Sequence, residues 1–298
     1  MDRFHEMLVY VAVAEEQGFA AAARRLQMSP PAVTRAVAAL EERLGIRLLT
    51  RTTRSVRVTD AGERYLEDAR RILAELESAD EAAAGIDATP RGELTVTAPV
   101  MFGRLYVLPG ILDYLHQYPE TRVHAMFLDR VVNLLDEGID VAVRIGQLPD
   151  SSLRATRVGS VRVVVCASPD YLSMFGTPET PQQLTNHQVI NVAGGSGQVG
   201  WQFSDQSRAV QLKPRLTVTT NNAAVSAATQ GFGITRLLSY QVASAISEGS
   251  LVPILENYEP DASPVQIVHR EGRLQSAKLR AFVDLLSTRL RENPLLKI

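Results

Sequence analysis

Arginine is concentrated between residues 20 and 57 of this 298-residue chain. That stretch holds eight arginines and two glutamates, a net charge of +6, whereas the whole chain carries −2 and the remainder therefore −8. Guanidinium groups form charge-assisted hydrogen bonds with phosphate and displace counterions from a nucleic-acid backbone. The local excess predicts a nucleic-acid-binding surface. An arginine-rich solvated face on an ordinary helical domain is the alternative.

The elements predicted to carry these arginines are two short helices joined by a tight turn. Residues 20–26 are rich in alanine, the strongest helix former, and the next two residues make the turn. Ser29 is a good N-cap for the second helix, and Pro30 fits its first position, where no N–H is needed. Gly45 ends this helix. Its apolar residues recur every three or four positions and form one predicted buried face: Val33, Ala36, Val37, Leu40 and Leu44.

A third helix and a wing complete the predicted unit. The opening segment 4–13 repeats apolar residues at Phe4, Met7, Leu8 and Val11, so it is expected to close a three-helix core. The run LLTRTTRSVRVT, which follows the second helix, predicts a small hairpin that carries arginine. A winged helix-turn-helix places its second helix in the major groove of DNA, where the early turns contact bases and phosphates.

Four segments, AAARRL, SPPAVTR, LEERLGIRLLTRTTR and TDAGERYLEDARRIL, make the chain resemble the LysR-type transcriptional regulators over essentially its full length. The resemblance implies that the segment from Ser29 onward enters the major groove and that the wing arginine matching Arg54 reaches the minor groove. Many members have a glutamine where this chain has Pro30. Proline offers no side-chain donor, so Thr34 and Arg35 become the expected carriers of specificity. The predicted DNA-binding residues are Arg24, Ser29, Pro30, Pro31, Thr34, Arg35, Arg51, Thr52, Thr53 and Arg54.

A long helix, capped by Thr59 and beginning near Asp60, follows the wing. Apolar and small residues recur along it at alternating spacings of four and three, which is a heptad seam: Tyr65, Ala69, Ile72, Leu76, Ala79 and Ala83. The alternative is an amphipathic helix that lies on its own domain. The resemblance implies that this linker helix dimerises the protein, so that two recognition helices face two half-sites, and that dimers assemble further into a tetramer.

The chain beyond residue 92 alternates predicted strands with predicted helices. Strands are expected over 94–98, 123–128 and 139–145, with helices over 99–118 and 131–137 between them. This alternation predicts an α/β fold with parallel sheets and helices on both faces, and about 205 residues are enough for two lobes. The resemblance implies an effector domain similar in fold to periplasmic solute-binding proteins, with a small molecule bound between the lobes.

The predicted domain organisation has four parts. They are a winged helix-turn-helix over 1–58, a linker helix over 59–87, a hinge over 88–92 and a two-lobed α/β effector-binding domain over 93–298.

Candidate effector-binding residues are placed at the carboxyl ends of predicted strands, where open α/β sheets bind ligands. A helix starting at Val100 directly after a strand also offers free N–H groups to an anion, and Arg236 at a strand end could pair with a carboxylate. The set is Val100, Met101, Phe102, Phe127, Leu128, Ile145, Gly146, Trp201, Phe203, Asn221 and Arg236. Each also has a structural interpretation as core, helix cap or surface charge. The apolar lining with an occasional arginine indicates an aromatic or hydrophobic carboxylate as effector, and no cofactor is expected.

The residues with reactive or ligating side chains do not form a catalytic or metal-binding pattern. The five histidines are dispersed, and the chain has no nucleophile elbow, phosphate-binding loop or dinucleotide fingerprint. The single cysteine, Cys166, lies in an apolar run and is expected to be a small buried hydrophobe, with a single-cysteine oxidant sensor as the alternative. Arg144 lies inside an apolar strand and needs a partner; a structural ion pair, with Asp140 as one candidate, is favoured over ligand binding.

The composition and the opening residues indicate a cytoplasmic protein. The chain is 45% hydrophobic, begins MDRFHEM without a signal-peptide pattern, and has no apolar run long enough to span a membrane. We predict a bacterial, non-enzymatic regulator that binds double-stranded promoter DNA as a homodimer or homotetramer, is nucleoid-associated when bound, and contacts RNA polymerase if it activates. The alternatives are an oxidant-responsive LysR-type regulator, a solute-binding protein without transcriptional role, and an architectural DNA-binding protein without a ligand.

Overall fold

The computed structural model describes residues 2–51, 56–83, 89–130, 132–134, 136–147, 153–192, 199–204, 208–270 and 276–297. The chain divides into two compact units, the first containing residues 1–88 and the second containing residues 89–272 and 278–298. Thr52, Thr53 and Arg54 lie outside the described residues, as do the side chains of Arg51, Ala79 and Ala83.

The first unit consists of three helices, a two-stranded wing and a long following helix. These elements are α1 (Arg3–Glu16), α2 (Phe19–Arg25), α3 (Pro30–Leu44), β1 (Leu49–Arg51), β2 (Val56–Val58) and α4 (Asp60–Ala83). The wing strands β1 and β2 pair antiparallel. The predicted winged helix-turn-helix is confirmed.

The ends of α3 follow from local chemistry. The helix begins at Pro30, and it ends at Gly45, whose φ of 68° lets its N–H return to the carbonyls of the last turn. Ser29 has the extended backbone of an N-cap, but its side chain makes no capping hydrogen bond, so that part of the prediction is wrong. Val33, Ala36, Val37 and Leu40 are fully buried as predicted. Leu44 is 37% exposed instead, because the helix ends at this residue.

Two of the four predicted core residues of α1, Met7 and Val11, pack in the core of the first unit, whereas the other two do not. Phe4 and Leu8 are 41% and 44% exposed, whereas Val9, Tyr10 and Val13 are 0% exposed and pack in the core. Apolar residues occupy more than one face of this helix, so periodicity alone did not select the face that packs against its neighbours.

The second unit contains two five-stranded sheets and a small hairpin. Its strands are β3 (Gly92–Ala98), β4 (Thr121–Phe127), β5 (Val141–Ile145), β6 (Leu153–Val161), β7 (Val163–Ala167), β8 (Val189–Val192), β9 (Val199–Trp201), β10 (Val210–Leu212), β11 (Leu216–Val218), β12 (Ile234–Leu238), β13 (Val252–Ile254) and β14 (Ser263–Arg270). The first sheet has the order β4-β3-β5-β14-β6 and the second the order β11-β8-β12-β7-β13, while β9 and β10 pair antiparallel. We call the parts built on these sheets the first and second lobes.

Each sheet contains one reversed strand, so the prediction of parallel sheets is wrong at β14 and β7. The β14 strand runs antiparallel to β5 and β6, and β7 runs antiparallel to β12 and β13. Each is the first strand after the chain passes from one lobe to the other, at Arg162 or through residues 255–262. We call the edge of each sheet where this passage occurs the crossover edge. The strands β7 and β14 start at that edge and run away from it. The carboxyl ends of the other strands consequently lie at the crossover edge of each sheet, where an α/β protein binds its ligands.

The helices of the second unit are α5 (Val100–Phe102), α6 (Leu108–Gln117), α7 (Pro169–Phe175), α8 (Asn221–Thr229), α9 (Ser239–Ser247) and α10 (Ala277–Glu292). A π-helical turn, Gly103–Val107, joins α5 to α6, so the helix predicted over 99–118 is not uniform. Among the described residues 132–134 and 136–138 there are turns and irregular backbone instead of the predicted helix. Asn133 Nδ2 donates to Asp136 there (2.6 Å), a local side-chain bond that competes with helical structure. None of the described helices is long and apolar enough to cross a membrane.

Candidate functional sites

The end of α2 and the start of α3 present five of the ten predicted DNA-contacting side chains to solvent. They are Arg24 on α2 and Ser29, Pro30, Pro31 and Arg35 at the start of α3. Thr34 is half-buried, and its Oγ1 donates to the Pro30 carbonyl at 3.0 Å. Because that bond uses the hydroxyl proton, Thr34 can still accept a hydrogen bond from a base edge or contact it through its methyl group.

Two of the clustered arginines are held in ion pairs inside the first unit. Arg25 Nη1 lies 2.7 Å from Glu15 Oε2, and Arg43 Nη2 lies 2.8 Å from Oε2 of the buried Glu6. Among the described residues, the exposed arginines of this region without a carboxylate partner are Arg24, Arg35, Arg47 and Arg57. These four, rather than the whole cluster, are available for phosphate.

The first half of α4 packs against its own domain, which corrects part of the seam prediction. Ala69 is 0% exposed in the core of the first unit, and the Tyr65 ring packs edge-to-face on Tyr10 with centroids 5.6 Å apart. Thr59 Oγ1 accepts from the Gly62 N–H (3.0 Å), which confirms the predicted cap. Tyr65 and Ala69 therefore belong to the intramolecular core, as the alternative interpretation held.

The surface of α4 that remains open begins beyond Ala69. Ile72 is half-buried, and Leu76 is 36% exposed. Ala79 and Ala83 belong to the helix, but their side chains lie outside the described residues. The role of the seam in dimerisation thus stays a prediction for Ile72, Leu76, Ala79 and Ala83.

A carboxylate of the chain itself already lies at the amino end of α5. The Val100 N–H donates to Asp129 Oδ1 at 2.9 Å. Asp129 therefore uses one of the N–H groups that the prediction assigned to an anionic ligand, and its charge disfavours a second anion beside it. Val100 is nevertheless 44% exposed, and Met101 is partly exposed beside it.

Three predicted ligand residues are core residues. Phe102 is 0% exposed, and its ring contacts those of Tyr106 and Tyr240 with centroids 4.9 and 5.2 Å away. Trp201 and Phe203 are 4% and 3% exposed inside the second lobe. Their predicted role as ligand-lining surface is therefore corrected to packing.

The remaining predicted effector residues lie at strand ends and keep part of their surface exposed. They are Phe127, Leu128, Ile145, Gly146 and Asn221. Gly146 adopts a φ of +112°, and its carbonyl accepts from Gln266 Nε2 at 3.1 Å. The N-cap of α8 is Thr220, whose Oγ1 accepts a hydrogen bond from the Ala223 N–H at 3.3 Å. Asn221 is the first residue of the helix and does not cap it.

Arg236 lies on β12 with its guanidinium beside two aromatic rings. Its Cζ is 5.9 Å from the Trp201 ring centroid and 5.4 Å from that of Phe203, and its Nη2 donates to the Gln202 carbonyl at 2.7 Å. Burial lowers the pKa of Arg236 from its usual value. Its Nε is shielded from solvent and has no hydrogen-bond partner.

Sequence reasoning missed the contacts that join the two lobes. Tyr240, from α9, packs in the hydrophobic core of the first lobe. Arg162 is the single residue between β6 and β7. Its Nη1 lies 2.7 Å from Oε2 of Glu259, which belongs to the returning crossover, the segment 255–262 through which the chain passes back to the first lobe. No sequence pattern marks these partners, because Arg162 and Glu259 are 97 residues apart.

Cys166 and Arg144 behave as structural residues. Cys166 is 0% exposed, and burial raises the pKa of its thiol to about 12, so the reactive thiolate is suppressed and the oxidant-sensor alternative loses support. Burial lowers the pKa of Arg144, and the nearby Glu137 charge opposes this shift. The predicted candidate Asp140 instead accepts from the Thr95 N–H at 2.7 Å. No group of three or more acidic, histidine or cysteine side chains in the described ranges is arranged to hold a metal ion.

Comparison with known families matches both units. The model of the bacterial regulatory helix-turn-helix protein, lysR family, matches residues 4–63, and that of the LysR substrate binding domain matches residues 87–291. Together these matches span most of the chain and agree with its division into two units.

Curated relatives and solved structures match over nearly the full length. The HTH-type transcriptional regulator CrgA of Neisseria meningitidis serogroup B is 32% identical over 290 residues, 97% of each chain, and PgrR of Escherichia coli is 32% identical over 94% of this chain and 96% of its own. The CrgA structure superposes with a TM-score of 0.62 over 97% of this chain and 99% of that one. Full-length AphB of Vibrio cholerae, 26% identical, superposes with a TM-score of 0.61 over 96% of this chain and 98% of that one. With a winged helix-turn-helix, a two-lobed α/β domain and both family matches in place, the chain belongs to the LysR-type transcriptional regulators.

Proposed function

We propose that this regulator binds promoter DNA as a homodimer, or as a tetramer of two dimers, and that a small-molecule effector bound between its lobes controls transcription. The exposed start of α3 carries the DNA-binding part of the proposal. There Arg35 is exposed without a carboxylate partner in the described part of the chain, and Thr34 keeps its acceptor capacity. The early turns of a recognition helix are the ones that contact base edges.

Dimerisation through the open part of α4 would give the two-fold symmetry that a near-palindromic site requires. Ile72 and Leu76 are the described seam positions with surface left for a partner. We propose that the dimer works in the bacterial cytoplasm on the nucleoid, and that it contacts RNA polymerase where it activates.

The effector site is proposed at the crossover edge of the two sheets. The carboxyl ends of β3, β4, β5, β8, β11 and β12 lie at this edge, and half-buried side chains such as Phe127 and Ile145 occur there. A ligand that contacts both lobes stabilises one arrangement of them over another. Its effect on DNA binding cannot exceed its differential affinity for the two arrangements.

DNase I footprinting of the full-length protein on the DNA upstream of its own gene, at physiological ionic strength, tests this function. Wild type should protect two near-palindromic half-sites. Arg35→Ala should bind roughly tenfold or more weakly, since a base-contacting arginine contributes about 1–3 kcal/mol. Arg122→Ala removes an exposed arginine of the second unit and is the matched control that should bind like wild type.

Two results would contradict the proposal. One is equal affinity of Arg35→Ala and wild type for a site that wild type protects. The other is the absence of any specifically bound site, upstream of the gene or in genome-wide binding.

A further inference from the structure

Arg236 differs from two other partly buried arginines of the second unit, Arg144 and Arg162, in having no carboxylate beside it in the described part of the chain. Arg162 pairs with Glu259, and the negative charge of the nearby Glu137 favours the protonated form of the partly buried Arg144. In the described part of the chain, no carboxylate forms an ion pair with Arg236. A guanidinium that is partly withdrawn from water without a counterion carries a desolvation cost, and arginine does not lose its proton to relieve that cost.

The hydrogen bonds of Arg236 are also incomplete. Of five N–H donors, one contact is formed, from Nη2 to the Gln202 carbonyl at 2.7 Å, while Nε has none. The Trp201 and Phe203 rings beside the guanidinium hold it in place but accept no ordinary hydrogen bond. The arrangement fixes a cation that makes one hydrogen bond to the described protein and leaves a shielded Nε–H without an acceptor.

The position of Arg236 places this cation at the crossover edge. It lies two residues before the end of β12, where Leu238 pairs with Val163 at the start of β7. Ser204, next to Phe203, donates its N–H to the Tyr258 carbonyl on the returning crossover at 3.1 Å. The charge thus lies close to the segments that connect the lobes, within the region where the effector is proposed to bind.

We propose that Arg236 binds the carboxylate of an organic acid effector, whose apolar body occupies the region between the lobes. This inference rests on the proposed function and names the chemical class of its ligand. A carboxylate matches the planar donor fork of a guanidinium, so it would supply the missing counterion and accept hydrogen bonds from the guanidinium donors. The amino end of α5 is less favourable for it, because the Val100 N–H already donates to the Asp129 carboxylate, whose charge repels a second anion.

Calorimetric titration of the full-length protein with benzoate, phenylacetate and hexanoate, each compared with its uncharged amide, tests the proposal. At least one carboxylate should bind wild type roughly tenfold or more tightly than its amide. Arg236→Met should lose this preference, and Arg236→Lys should retain part of it. Arg215→Met is the matched control, because Arg215 is an exposed arginine of the same lobe that lies 5.8 Å over the Phe232 ring; it should bind like wild type.

Thermal unfolding without ligand separates a binding role from a structural one. A site kept for a ligand carries an uncompensated charge, so Arg236→Met should melt at the same temperature as wild type or higher. A markedly lower melting temperature for Arg236→Met would overturn the proposal, and so would equal binding of acid and amide, unchanged binding by Arg236→Met, or no binding of any of the carboxylates by wild type.

The ligand-free footprint distinguishes this inference from the proposed function. Arg236→Met should protect the same DNA site as wild type without ligand. A protein that binds a carboxylate through Arg236 but protects no DNA would overturn the proposed function and leave the ligand site standing.

Discussion

At the scale of the residue, Glu15 shows why the arginine count overstated the charge available to DNA. This α1 carboxylate accepts hydrogen bonds from Arg25 of α2 at 2.7 Å and from Arg70 of α4 at 2.9 and 3.0 Å. Burial opposes ionisation of Glu15, but the two guanidinium groups outweigh it and hold its pKa below its usual range. One acid thereby ties three helices together and withdraws Arg25 from the DNA-facing set.

Glu15→Gln should lower stability in a pH-dependent way. Because the folded pKa is depressed, the carboxylate stabilises the fold above its unfolded pKa of 4.5, and this contribution is lost as the pH falls through the lower folded value. We expect a loss of about 1 kcal/mol near neutral pH, since the pairs are partly exposed. Urea unfolding of both proteins across this pH range measures it.

Glu16→Gln is the control, because Glu16 Oε1 lies 3.4 Å from Arg25 Nη1 and, within the described part of the chain, Glu16 makes no bond to Arg70. Its effect should be smaller than that of Glu15→Gln. A Glu15→Gln effect that is the same in acid and at neutral pH would contradict the ion-pair explanation.

At the scale of the element, the docking of α4 depends on one glycine. A Cβ at Gly62 would lie 2.1 Å from the Leu48 carbonyl oxygen and 2.9 Å from the Tyr10 hydroxyl, which itself donates to the Gly62 carbonyl at 2.8 Å. Only a residue without a side chain allows the helix to approach this closely. The heptad spacing that predicted a subunit seam thus serves, in its first turns, the packing of the helix on its own domain.

Gly62→Ala should destabilise the first unit by about 1–3 kcal/mol, because a backbone clash outweighs the gain in helix propensity. Chemical denaturation measures the change. Gly18→Ala is the matched control in the same unit; its Cβ would be no closer than 3.6 Å to a neighbouring atom, and it should cost much less. Equal stability of Gly62→Ala and wild type would show that α4 can shift to relieve the contact.

At the scale of the whole molecule, the open part of α4 determines the expected assembly. Leu76 is 36% exposed beyond the last turn that packs on the core. Leu76→Glu should weaken dimerisation and, with it, binding to paired half-sites, because a charge on an apolar seam opposes close helix packing. Analytical ultracentrifugation should show a dimer dissociating at a concentration at least about tenfold higher than for wild type.

Met174→Glu places the same charge on an apolar side chain that is 67% exposed elsewhere in the second unit, and it should leave assembly unchanged. A Leu76→Glu protein that associates like wild type would remove this helix from the interface.

Local sequence patterns were enough to predict the helices and the wing of the first unit and the two lobes of the second. Caps, prolines, glycines and apolar periodicity act within a few residues, so Pro30 and Gly45 fix the ends of α3 without reference to the rest of the chain. The motifs that carry the family resemblance lie in the same locally specified segments.

Contacts between distant parts of the chain determine which of these residues face solvent and which face the core. Asp129 reaches the Val100 N–H across 29 residues, Ala69 turns into its own core, and β7 and β14 reverse direction because the chain enters each there from the other lobe. Arg236 lies beside the rings of Trp201 and Phe203, which are more than 30 residues away in sequence, and no carboxylate of the described chain pairs with it. Local patterns specify an element, but they do not specify the distant partner that occupies its donors, covers its face or neutralises its charge.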